Sequence, residues 1–195
     1  MEHVHLWNFG NAKKEYFHKW NNVRSLPLAF DSINYKPIKD SKYEFDICFV
    51  GGWADNGYNE KKKIMIDHFA EIKKLGLQCG IFINKNISIQ DEANVLFNSK
   101  IAINIHDAYS RTLGCNSNER AFKTLGLTGF VISDKVDFVA SIFPEIPMAE
   151  TPQEMATLIT KFIDQDLEKV KSKNRLNIIN NHSYINRVQE LSNLT

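Results

Sequence analysis

Cysteine is scarce in this chain of 195 residues. Cys48, Cys79 and Cys115 are odd in number, more than thirty residues apart and form no C-x-x-C, so a disulfide framework, a zinc site and a thioredoxin-like motif are excluded. Glycine (nine) and proline (five) are too few for a fibrous or low-complexity chain. Neither sign of charge dominates. With 24 Lys+Arg against 23 Asp+Glu the net charge is +1, which excludes a molecule-wide footprint for nucleic acid or an anionic membrane and makes any anion site a local one. No apolar run approaches the roughly eighteen residues of a membrane span, and MEHVHLWNFGNAKKEYFHKW lacks a signal-peptide core. The expectation is a cytoplasmic protein. What is there, 43% hydrophobic and 24% charged residues, is an ordinary globular domain able to bury roughly 70% of its unfolded surface.

Residues 1–44 form a lead-in or linker, rich in aromatics and Asn, with Pro27 and Pro37 and no sustained periodicity. From Phe45 to the end short apolar runs alternate with amphipathic stretches. FDICFV (45–50) predicts a strand ending in Gly51-Gly52; EKKKIMIDHFAEIKKLG predicts a helix with Met65, Phe69 and Ile72 on one face and Gly76 at its close. Further strands are expected at 77–83, 101–106 and 129–133. Between them lie a helix capped by Ser88, a long polar loop DAYSRTLGCNS and a short helix capped by Ser117. Thr151-Pro152-Gln153-Glu154 is a full capping box with Pro at N1, leading Met155, Leu158, Ile159 and Phe162 into a helix. A helical tail follows, with Tyr184, Val188 and Leu191 as its apolar face. Strands apolar on both faces and separated by helices predict a Rossmann-like α/β fold, a parallel sheet covered on both sides. Ligands in such sheets sit beyond the carboxyl ends of the strands, which singles out Gly51-Gly52-Trp53, Asn84, His106-Asp107 and Ser133-Asp134.

The densest chemistry lies in residues 101–134. A strand, a polar loop and a helix start with Asn118, Glu119 and Arg120 in its first turn offer free N–H groups and a cation to an anion such as a diphosphate. The alternative is that Glu119 answers the helix dipole and Arg120 makes a surface ion pair. Gly51-Gly52 lets backbone approach a ligand or forms a plain tight turn, and is neither G-x-G-x-x-G nor a P-loop. His106, the one side-chain type that changes charge near neutrality, either serves that site or satisfies a carbonyl. Lys61-Lys62-Lys63 open a helix at the end where cations are disfavoured, which suits a phosphate contact or a solvated face, and Lys171 to Arg175 is read likewise. His3 and His5 are not a metal site, and Trp7, Phe9, Phe17 and Trp20 are packing residues.

Asn118-Glu119-Arg120-Ala121-Phe122-Lys123-Thr124-Leu125, followed by Gly129-Phe130-Val131-Ile132-Ser133-Asp134, resembles the N-x-R-x-F-E-x-L-A-x-G-G-F-L-L-T-D signature of the CgeB-like glycosyltransferases of the GT-B fold. Leu26-Pro27-Leu28-Ala29-Phe30-Asp31 with Tyr35 and Pro37, Asp46 to Gly51, Glu154, and His182-Ser183-Tyr184 with Arg187 resemble further landmarks of that family in the same order. The resemblance covers residues 26 to 194 and implies the C-terminal, donor-binding half of a glycosyltransferase. It implies a nucleotide-diphosphate sugar (UDP, GDP or dTDP) as substrate, with no cofactor and no metal because helix dipole and basic side chains neutralise the diphosphate. Gly51 and Gly52 would lie against the diphosphate and Asn84 near the base. Asn104 and His106 would line the cleft, and Asn118, Glu119 and Arg120 would bind phosphate or sugar. Two departures stand out. Lys123 occupies the position of the family's ribose-binding Glu, and an ammonium cannot accept from hydroxyls; Glu119, one turn earlier, can substitute in part. Some 44 residues before the first strand leave no room for an acceptor domain, so the expectation is a truncated chain, a split enzyme whose partner supplies the acceptor half, or a homodimer that rebuilds the cleft. The competing function is a non-catalytic Rossmann-like relative acting as an interaction subunit; a flavodoxin-like regulator is disfavoured because no acidic cluster follows the first strand.

Overall fold

The computed structural model describes residues 6–11, 23–53 and 58–193. Two short strands, β1 (Leu6–Asn8) and β2 (Val23–Ser25), pair in parallel ahead of the main sheet. That sheet comprises β3 (Ile47–Gly51), β4 (Cys79–Ile83), β5 (Ile101–Asn104), β6 (Val131–Asp134) and β7 (Met148–Ala149), all parallel, in the order β4-β3-β5-β6-β7. The helices are α1 (Lys61–Lys73), α2 (Ile89–Asn98), α3 (Ala108–Leu113), α4 (Glu119–Leu127), α5 (Asp137–Ile142), α6 (Pro152–Phe162), α7 (Glu168–Asn181) and α8 (Tyr184–Ser192). This is the expected Rossmann-like α/β architecture. The two-residue β7 has no counterpart among the strands expected from sequence.

Alternation along the strands divides the core. Ile47, Phe49, Ile101, Ile103 and Ile132 pack with Met65 and Ile72 of α1 and Met155 and Ile159 of α6. Cys48, Val50, Ala102 and Val131 face Val95 and Leu96 of α2, Phe122 and Leu125 of α4, and Ile178 of α7. Both faces of β3, β5 and β6 are thereby covered, which is why these segments are apolar throughout.

Several local expectations are corrected. The polar loop after β5 contains α3, whose first turn is held by Asp107 Oδ1 accepting from Ser110 N at 2.8 Å and which ends at Gly114 with φ +62°. The N-cap of α4 is Asn118, its Oδ1 accepting from Ala121 N at 3.0 Å; Ser117 Oγ is buried without a partner among the described residues. In α1 Met65, Phe69 and Ile72 share the core-facing side as expected, with His68 buried beside them, and Gly76 at φ +67° follows the helix end. Thr151 Oγ1 caps Glu154 N at 3.1 Å, but Glu154 returns its bond to Glu150 N rather than to Thr151, so the capping box is shifted by one residue. Tyr184, Val188 and Leu191 are exposed, Val188 by 64%, and form no buried face. Lys171 and Arg175 are not a solvated cluster. Lys171 is buried and donates to Ser99 O, while Arg175 donates to Leu127 O and Thr128 O and lies 4.6 Å from the Phe97 ring.

Much of the expected lead-in docks on the domain. Phe30 N donates to His182 O at 2.8 Å and Tyr184 N to Phe30 O at 3.0 Å, while Arg187 Nε donates to Pro27 O at 2.8 Å. A Cβ on Gly126 would meet the Phe30 ring at 2.8 Å, so glycine lets this segment sit against α4. Trp7 is half-buried and Phe9 exposed, so the latter does not pack; His3, His5, Phe17 and Trp20 lie outside the described residues. Among the described residues no helix is long and apolar enough to cross a membrane.

Candidate functional site

The strand order places β3 between β4, reached through α1, and β5, reached through α2. The direction of winding reverses there, and open parallel sheets bind ligands in the crevice beyond the carboxyl ends at that point. A cleft of about 440 Å³ opens at this place, lined by Gly52, Trp53, Asn59 and Lys61 from one side of the reversal and by His106, Asp107, Ser110, Asn118 and Arg120 from the other, with Asn84 at the end of β4.

Arg120 spans the reversal itself. Rooted in the first turn of α4, its Nε donates to Val50 O of β3 at 3.0 Å and its Nη1 to Ile105 O, just past β5, at 3.3 Å. The guanidinium carbon lies 4.6 Å from the Phe49 ring centroid, a contact that strengthens when desolvated. Burial pulls its pKa down to about 10. A Cβ on Gly51 would lie 2.2 Å from Arg120 Nη2, and one on Gly52 2.2 Å from Asn84 Oδ1. The glycine pair therefore admits two side chains of the protein. Asn84, at φ +51°, accepts from Trp53 N at 3.0 Å and donates to Trp53 O at 3.1 Å, which pins the chain leaving β3.

Lys61 opens α1 behind two residues in the left-handed region, Asn59 (φ 55°) and Glu60 (φ 53°), and the helix has no side-chain cap. Its ammonium donates to Ile105 O, the same carbonyl that receives Arg120. Burial, and then the charge of Arg120, pull its pKa down to about 7. Lys61 is thus part of the cleft, whereas Lys62 and Lys63 keep exposed positions. Neither Lys61 nor Arg120 forms an ion pair with a carboxylate among the described residues. Beneath them Asp134, fully buried at the end of β6, accepts from His106 N at 2.8 Å and lies 2.6 Å from His106 Nδ1. Burial alone raises the Asp134 carboxyl, but the two hydrogen bonds from His106, with the Lys61 charge nearby, outweigh it and hold the group below its ordinary value.

Of the expected donor-binding residues the fold gathers Gly52, Asn84, His106, Asn118 and Arg120 in one cleft. Gly51 lies behind Arg120. Asn104 does not line the cleft: it is fully buried in β5 and donates to Ser133 Oγ at 3.1 Å. Glu119 is exposed outside it. Lys123 belongs to the contact between α4 and α2, where its ammonium lies 2.6 Å from Glu92 Oε1 and 5.8 Å from the Tyr35 ring, with Tyr35 donating to Glu92 Oε2 at 3.0 Å. Arg120 is neither a surface residue nor ion-paired, which removes that alternative.

A family model described as glycosyl transferase-like matches residues 35–193. The chain belongs to this family. The glycosyl transferase-like region contains the whole main sheet and every cleft residue named above, and glycosyl transfer is the class of activity that membership supports. No curated protein and no solved structure matches the chain.

Proposed function

We propose that the cleft holds the diphosphate of a nucleotide-sugar donor, and that the chain is the donor-binding domain of a GT-B, CgeB-like glycosyltransferase. The observation that carries this reading is the convergence of Lys61 and Arg120 on the carbonyl of Ile105, at the first turns of α1 and α4. Two like charges held together at the positive ends of two helices repel each other and the dipoles. A bound dianion reverses the sign of both effects. Phosphates lie between the two cations, the nucleoside extends toward Trp53 and Asn84, and the sugar toward Asp107 and Ser110. The basic side chains do the charge neutralisation a divalent cation does elsewhere, so donor binding needs no metal. The acceptor is presented by a second domain facing the cleft, as the resemblance to GT-B enzymes suggests.

Calorimetric titration with UDP, GDP and dTDP, with and without magnesium, tests the reading. The expected result is saturable, metal-independent binding of one of them, with Kd between micromolar and millimolar, about −4 to −8 kcal/mol. Silence from all three in the folded protein would sink it in favour of a non-catalytic interaction subunit.

A further inference from the structure

His106 is engaged on one side of its ring only. Just 2% of the residue is exposed, and it lines the floor of the cleft. Asp134 fixes it at two points, through the backbone N–H and through Nδ1. An ionised carboxylate only accepts, so Nδ1 carries the proton between them. Nε2, on the opposite side of the ring, is buried and has no hydrogen-bond partner among the described residues. Buried polar atoms are ordinarily satisfied, and an exception asks what satisfies it in use.

The charged groups around this ring are Asp134 from β6, Arg111 from α3, 3.7 Å from Asp134, Lys61 from α1, Arg120 from α4, and the adjacent Asp107. His68 of α1 is used within its own helix, with Nδ1 2.8 Å from Ile64 O. Arg111, Arg120 and protonated Lys61 are donors only, so none of them can receive a proton from Nε2. A phosphate can: its ionised oxygens only accept, so Nε2 bonds to one only as an N–H.

We propose that His106 is a proton-linked phosphate ligand: a phosphate group entering between Lys61 and Arg120 draws a proton from solvent onto Nε2, and the imidazolium, held by Asp134, donates to a phosphate oxygen. This rests on the donor-site reading and deepens it, assigning a phosphate-binding role to His106 and a positioning role to Asp134. A hydroxyl can donate to a bare Nε2 whereas an ionised phosphate oxygen cannot, so an Nε2 that stays bare on saturation excludes phosphate contact.

The test is a long-range ¹H–¹⁵N imidazole spectrum of the full chain near neutral pH, alone and saturated with whichever of UDP, GDP or dTDP binds. The His106 ring is identified by its loss in His106→Gln and by the Nδ1 proton shared with Asp134. The expected change is from bare Nε2 to Nε2–H on saturation. His106→Gln weakens binding roughly 10–100-fold, the loss of one charge-assisted bond. Asp134→Asn abolishes the Nε2 protonation, a readout that loss of packing alone does not produce. Binding with Nε2 unchanged would overturn the role of His106 and leave the donor site standing. Absence of any nucleotide binding would overturn both, and the titration heat tells the two failures apart. Since the deciding spectrum is taken on the native chain, a variant that fails to fold does not remove the test.

Discussion

The two ends of the sheet each carry a lysine and an arginine, at least half-buried and bonded to backbone carbonyls, and the two pairs mean opposite things. At the amino ends Lys171 donates to Ser99 O, the C-cap of α2, and Arg175 to Leu127 O and Thr128 O at the close of α4. Those are negative helix ends, where cations are favoured, and Glu168 stands 3.3 Å from Lys171. At the carboxyl ends Lys61 and Arg120 sit in the first turns of α1 and α4, where the dipole opposes them, and no carboxylate pairs with either among the described residues. The lower pair completes the fold. The upper pair is held in place by the fold at a cost that an anionic ligand relieves.

Exchanging the arginines one at a time gives the largest expected contrast. Arg120→Ala weakens nucleotide binding by roughly 10–100-fold, whereas Arg175→Ala leaves Kd unchanged and lowers stability by about 2–3 kcal/mol, because two carbonyls lose a charged donor. Chemical denaturation alongside titration measures both, and equal losses of affinity in the two variants would erase the distinction between the pairs.

Lys61 supplies the next effect. Its pKa is lowered to about 7 in the free protein and an anionic ligand favours the charged form. The Lys61 contribution to affinity is therefore flat below about pH 7 and falls by up to about tenfold per pH unit above it, separately from the proton taken up at His106. Folding stability has its own dependence: a lysine lowered from 10.5 contributes most above that unfolded value and loses the contribution as pH falls through about 7. Lys61→Met should accordingly weaken nucleotide binding while raising Tm near neutral pH, since it removes a buried charge that burial penalises. A fall in both quantities would place Lys61 with the structural pair at the other end. The smallest effect is at Lys123. Lys123→Glu sets two carboxylates face to face and lowers stability by about 1–2 kcal/mol, with Kd unaltered and most of the loss recovered in the Glu92→Lys/Lys123→Glu double variant.

How far the sequence reveals this depends on whether a feature is local. Ile47–Val50, Ile101–Asn104 and Val131–Ser133 are apolar on both faces, so their strands are legible from composition alone. Asn118, Arg120 and His106 are legible as site residues because strand ends and helix starts are where such sheets bind ligands. α3 is hidden by its polarity, although Asp107 and Gly114 are a readable cap and stop, and α5 by a length of six residues, too short to show helical periodicity. Lys61 was open to a second reading because a run of three lysines looks solvated whichever of them turns inward. Asn104 and Lys123 stand in the right stretch of sequence for the cleft, but alternation along β5 and helical rotation along α4 carry their side chains elsewhere. The pairings of His106 with Asp134 and of Lys123 with Glu92 join residues on different elements and have no local signature.

The hydrogen bonds that tie Phe30 to His182 and Tyr184, with Arg187 on Pro27, bring the segment just ahead of the matched region and its trailing helix to one place. The domain is fastened like a buckle. The chain at Pro27–Phe30 and the start of α8 are therefore rooted side by side, with Phe30 against α4. A force that reaches Phe30 from ahead and one that reaches Tyr184 back through α8 load the same small set of bonds.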